Sequence, residues 1–138
     1  MFFDINSFRN AEMFGMDKSK FLNAEDGFLR GNIIEDEYEP YKNHTYFSIT
    51  PKSEKDLLLF KVYEYDFAIN DLNLYLDLHQ DDKQALNLFN KYVHDFEMIK
   101  NEYVKRYGPL EVRDIDDNEF NWVTTTWPWG GSENVWVC

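Results

Sequence analysis

The chain has 138 residues, with 14 basic against 26 acidic side chains, a single cysteine and 18% aromatic residues. That length suits one small domain with arms, and the aromatic content excludes a chain disordered throughout. A net charge of −12 argues against nucleic acid and anionic lipid as partners. No run reaches the roughly 18 apolar residues that a membrane span needs, and the lone Cys138 excludes a disulfide framework within the chain.

In chain order, Met1-Phe2-Phe3-Asp4 offers neither the basic nor the apolar region of a secretory signal, so none is expected. Gly15, Gly27, Gly31, Pro40 and Pro51 break any long pattern, and residues 1–52 read as an irregular N-terminal arm. Residues 53–107 hold no glycine and no proline. Ser53 is a good N-cap, and Asp56 three residues on resembles the second half of a capping box. Leu58, Val62, Tyr65, Ile69, Leu72 and Leu76 then recur at the spacing of one helical stripe.

His79-Gln80-Asp81-Asp82 reads as a polar turn, with Asp81 or Asp82 capping the next helix. Ala85, Phe89, Tyr92, Phe96, Ile99 and Tyr103 repeat the stripe, Tyr107 extends it, and Gly108-Pro109 is a stop signal. Two helices of about 25 residues joined by a short turn should fold back on each other. The expected fold is therefore all-α: an antiparallel two-helix hairpin (53–109), with an irregular arm (1–52), and with an acidic linker and Trp-rich tail (110–138) packed on it.

The first helix carries a second stripe, Phe60, Tyr63, Phe67, Leu74 and Leu78, on the side opposite Leu58–Leu76. One partner helix covers one side only. The second stripe needs the arm, the tail or another protein over it, because exposed it would be an interaction site or an aggregation hazard.

Catalysis finds little support, and neither a metal nor another cofactor is expected. His44, His79 and His94 are scattered, and each reads as a surface histidine. A di-metal carboxylate bundle needs Glu-x-x-His on two helices, whereas Lys91 precedes His94 by three residues and Leu76 precedes His79. Cys138 has no base near it in sequence, and a nucleophile needs one within hydrogen-bond reach. The run Asp114 to Glu119 lacks calcium-loop spacing and reads as a solvated linker.

Aromatic residues are the anomaly. All four tryptophans lie in the last 17 residues, with Trp127-Pro128-Trp129 at the centre. Two readings stand: a tail that packs back over Phe60, Phe67 and Leu74, or an anchor that docks into a partner, since tryptophan is enriched at binding hot spots.

The run Asp66-Phe67-Ala68-Ile69-Asn70-Asp71-Leu72-Asn73-Leu74-Tyr75-Leu76-Asp77-Leu78-His79 resembles the signature of the CotJB family of spore coat proteins. The resemblance continues through Asp81-Asp82, Ala85-Leu86, Phe89-Asn90-Lys91-Tyr92, Tyr107-Gly108-Pro109-Leu110 and Trp127-Pro128-Trp129, covering about residues 56–130. A weaker likeness lies in front. The stretch Gly27 to Tyr41, with Gly31, the apolar pair Ile33-Ile34 and Tyr38-Glu39-Pro40-Tyr41, is similar to the short motif of the CotJA family. It departs from that motif at Gly27 and Phe28, where alanine and leucine are usual, and at Asn32, where threonine is.

The resemblance implies a non-catalytic spore coat component, made in the mother-cell cytoplasm and then placed in the coat. It implies other coat proteins as partners, among them a CotJC-like manganese catalase, which would supply metal chemistry this chain lacks, and a CotJA-like protein. The expected partner-binding residues are Tyr38, Pro40, Tyr41, Phe60, Phe67, Leu74, Trp127, Pro128 and Trp129. A general adaptor unrelated to sporulation and a small metal-binding enzyme subunit are the alternative readings.

Overall fold

The structure is a computed structural model that describes residues 20–37, 39, 41–43, 45, 48–115 and 118–123. It is helical, with three α-helices among those residues: α1 (Ala24–Arg30), α2 (Glu54–Leu78) and α3 (Lys83–Tyr107). Short 3₁₀ turns follow α1 at Glu35–Glu37 and α3 at Val112–Asp114.

Each long helix starts at a side-chain cap. Ser53 Oγ accepts from the Asp56 N–H at 3.1 Å, and the Asp56 carboxylate reaches one residue past the cap to the Lys52 N–H at 3.2 Å. The box expected at Ser53 and Asp56 is therefore present in shifted form. Of the two candidate caps for α3 it is Asp82 that serves, accepting from the Ala85 N–H at 3.0 Å. α3 stops at Gly108, whose φ of +108° lies where glycine alone is comfortable. Each cap is worth about 1 kcal/mol, because it satisfies an amide that the helix cannot.

α2 and α3 pack as the hairpin that the periodicity requires. Leu58, Val62, Tyr65 and Leu72 from α2 share one core with Ala85, Tyr92, Ile99 and Tyr103 from α3, and Ile69, Leu76, Phe89, Phe96 and Tyr107 pack at its margin. Tyr65 and Tyr92 meet edge to face at 5.3 Å between ring centres. The largest fully buried side chains include Leu58, Leu72, Tyr92, Ile99 and Tyr103, each contributing about 1.5–3 kcal/mol of transfer free energy. Arg106 ties the helix ends together by bonding Glu102 on its own helix and Glu54 at the start of α2.

One short helix lies within the stretch expected to be irregular. Asn23 caps α1 by accepting from the Asp26 N–H at 2.8 Å, and Gly31 ends it at φ +84°. These are local signals too short to stand out without the tertiary contacts that hold them. α1 packs on α2. Of the Trp-rich tail, half-buried Trp122 is among the described residues, and residues 124–138 lie outside them.

Candidate interaction surface

Residues 20–37 form a closed loop laid along α2. Phe21 and Ile34 make an isolated antiparallel bridge, the Leu22 N–H donates to Ile33 O at 2.8 Å, and the Glu35 N–H donates to Lys20 O at 2.9 Å. α1 spans the loop between these two strands of backbone. Gly27 makes this possible, because a Cβ there would stand 3.2 Å from the Ile33 Cα, tighter than ordinary packing. Ile33 is 0% exposed, and its N–H donates to the Asp71 carboxylate on α2 at 2.8 Å. Phe28 meets Phe67 edge to face at 5.9 Å, and Phe21 meets Tyr75 at 5.3 Å. Lys61 on α2 bonds Glu64 at 2.7 Å and reaches Glu25 of α1 at 3.5 Å.

The far end of the loop is latched to the hairpin turn. The Lys20 ammonium bonds the Asp82 carboxylate at 2.5 Å and the Tyr75 hydroxyl, and that hydroxyl donates to Asp82 at 2.9 Å. His79 stacks on Tyr75 at 4.1 Å with an interplanar angle of 7°. The Lys20 bond and the Ala85 amide hold the Asp82 carboxyl well below the ordinary carboxylate range, and the bond to Asp82 raises Lys20 in turn. One carboxylate thus caps α3 and anchors the arm.

These contacts trace a third line on α2 that periodicity by apolar residues does not reveal. Lys61, Glu64, Ala68, Asp71 and Tyr75 are spaced three, four, three and four apart, so they share one side of the helix. Mixed charged, small and aromatic residues conceal the stripe from a hydrophobic count. The visible signal was the spacing itself.

On the other side, a cavity of about 380 Å³ opens between α2, α3 and the segment after α3. Val62, Tyr63, Asp66, Phe96, Lys100, Leu110 and Glu111 line it. Lys100 bonds Glu111 and, at 2.9 Å, Asp114. Burial alone would lower its ammonium, but these two carboxylates outweigh that and hold it above its ordinary value. Burial also pushes the Tyr103 hydroxyl up to about 12. Among the described residues, no group of three or more histidine, cysteine, aspartate or glutamate side chains is placed to hold a metal, and no helix is long and apolar enough to cross a membrane.

The expected contact residues fall in different places. Phe60 is 4% exposed and belongs to the packed interior. Phe67 is half-buried beneath Phe28. Leu74 is 56% exposed and Leu78 83%, so the second stripe leaves cover towards the hairpin turn. Tyr41 stands 86% exposed. His79 and His94 are exposed, as expected of surface histidines. Tyr38, Pro40, His44, Trp127, Pro128, Trp129 and Cys138 lie outside the described residues.

A family model described as CotJB protein matches residues 56–130, which take in α2, the turn, α3 and the segment beyond. The chain belongs to the CotJB family. CotJB is a spore coat family and not a known enzyme family, so the hairpin is the shared core of a spore-coat-related protein. No curated protein and no solved structure matches the chain.

Proposed function

We propose that this CotJB-family protein is a non-catalytic structural component of the endospore coat that acts by protein–protein contact. The observation that carries this reading is the two-sided character of α2. Its Leu58–Leu76 side is filled by α3, whereas the opposite ridge passes from half-buried Phe67 to exposed Leu74 and Leu78. A helix that is apolar on two sides and covered on one and a half has surface left for a partner. Tyr41 and Leu74 are proposed contacts, with Phe67 at the margin and Tyr38, Pro40, Trp127, Pro128 and Trp129 as further anchors. Phe60 is left out because it is already buried.

By family resemblance, the partners are other coat proteins, foremost a CotJC-like manganese catalase that this chain recruits or holds, and a CotJA-like protein. The chain is made in the mother-cell cytoplasm and then joins the coat. A tagged pull-down from the native organism across its growth stages, read by mass spectrometry, tests this. Recovery of a manganese catalase-like protein in sporulating cells alone is expected. Recovery of the chain by itself at every stage would refute the assembly role.

A further inference from the structure

The chain beyond α3 changes character at Leu110. Pro109 is buried and Leu110 half-buried against the core, whereas the 3₁₀ turn Val112–Asp114 contributes no buried residue. The turn is closed by its own bonds. The Asp114 carboxylate accepts from the Leu110 N–H at 3.3 Å and from the Glu111 N–H at 3.0 Å, and the Asp114 N–H donates to Glu111 O at 2.9 Å. Among the described residues, the bonds that join this turn to a helix run to Lys100, which holds Glu111 and Asp114 together. Close packing does not weld the turn down, because Glu111 borders the cavity of about 380 Å³ that Val62, Tyr63 and Phe96 also line.

A turn that is closed on itself, follows a fixed base and is tied down by one side chain has the anatomy of a lid. The tie is electrostatically decisive. The Lys100 side chain is 17% exposed and that of Asp114 15%, so the pair is partly withdrawn from solvent and weakly screened by salt. Without the ammonium, Glu111 and Asp114 are left together with Asp66 in the wall of the same cavity, and repulsion replaces attraction. We propose that residues 111–114 form a lid over this cavity, clasped to α3 by Lys100, and that the lid swings open about Leu110 while α2 and α3 stay packed. Open, it uncovers Val62, Tyr63 and Phe96. This goes beyond the contact role proposed above and does not depend on it.

Thiol accessibility in the full chain tests the lid, with Cys138→Ser as background so that a single cysteine reports. Val62→Cys puts a thiol of similar size in the cavity wall. Ala85→Cys puts one in the core between α2 and α3, where Ala85 is 0% exposed. Labelling by iodoacetamide is timed, and circular dichroism follows the helices. Adding Lys100→Met should speed labelling at Val62→Cys at least about tenfold and leave both the Ala85→Cys rate and the helical signal unchanged. Lys100→Arg, which keeps the charge, should restore most of the protection. Equal acceleration at both positions, or loss of helix with Lys100→Met, would overturn the proposal, because turn and hairpin would then open as one unit. An unchanged rate at Val62→Cys, or labelling there as fast as that of free cysteine while Lys100 is intact, would overturn it too.

Discussion

Asp82 concentrates several interactions on one carboxylate, and replacing it separates them. Its Oδ1 caps α3 at the Ala85 N–H, and its Oδ2 holds Lys20 and accepts from the Tyr75 hydroxyl. Asp82→Ala removes all three. Loss of the cap costs about 1 kcal/mol, and loss of the Tyr75 bond about another 1 kcal/mol. The ion pair adds at most about 1 kcal/mol, discounted because the Lys20 side chain is 40% exposed to screening water. The total is about 2–3 kcal/mol, a fall in Tm on the order of 10 °C. Asp82→Asn keeps the cap through its one amide oxygen but turns an NH2 donor towards the Tyr75 hydroxyl and the Lys20 ammonium, so it should cost about 1–2 kcal/mol, less than alanine by the worth of the cap.

Urea unfolding followed by circular dichroism measures both variants. The sign of the pH dependence follows from the lowered carboxyl of Asp82. Its contribution is fully present above the ordinary carboxylate value of 3.8 and is lost as pH falls from there towards the lower value it has in the fold. Asp82→Asn should therefore flatten part of the acid limb of stability. Equal losses for alanine and asparagine would refute the assignment of the cap as a principal term. A loss below about 0.5 kcal/mol for alanine would refute the latch altogether.

Leu72 and Leu74 are two residues apart yet differ in surroundings, so Leu72→Ala should cost about 2–5 kcal/mol and Leu74→Ala less than about 0.5 kcal/mol in the same unfolding assay. Asp95 is buried on α3, and that burial raises its carboxyl against the opposing effect of Lys91 and His94. A raised group contributes stability below its unfolded value and loses it as pH rises, so Asp95→Asn should stabilise at pH 7 by an amount on the order of 1 kcal/mol. The gain should vanish when thermal melts are run below the ordinary carboxylate value of 3.8. Replacing Trp127 and Trp129 together with alanine should weaken capture of the coat partner by more than about tenfold while leaving the helical signal intact, and loss of helix would mark the tail as core.

The hairpin was legible in the sequence because each of its signals is local or periodic. Ser53, Asp82 and Gly108 cap or stop helices through bonds to residues within four positions. Leu58 through Leu76 and Ala85 through Tyr103 repeat at the helical period, and that repeat alone implies two faces that must meet. The run Asp66–His79 also carried the family likeness, since a particular order of residues is itself sequence.

The arm's seat was decided only by tertiary structure. Lys61, Asp71 and Asp82 look like solvated surface charges until a segment some thirty-five to sixty residues earlier in the chain supplies partners, as Glu25 does for Lys61, the Ile33 amide for Asp71 and Lys20 for Asp82. The same holds for Phe60 and Leu74, which fall on one stripe by spacing yet end buried and exposed respectively. Periodicity reports which residues share a side of a helix. What covers that side depends on contacts between distant parts of the chain, whose free energy no local pattern records.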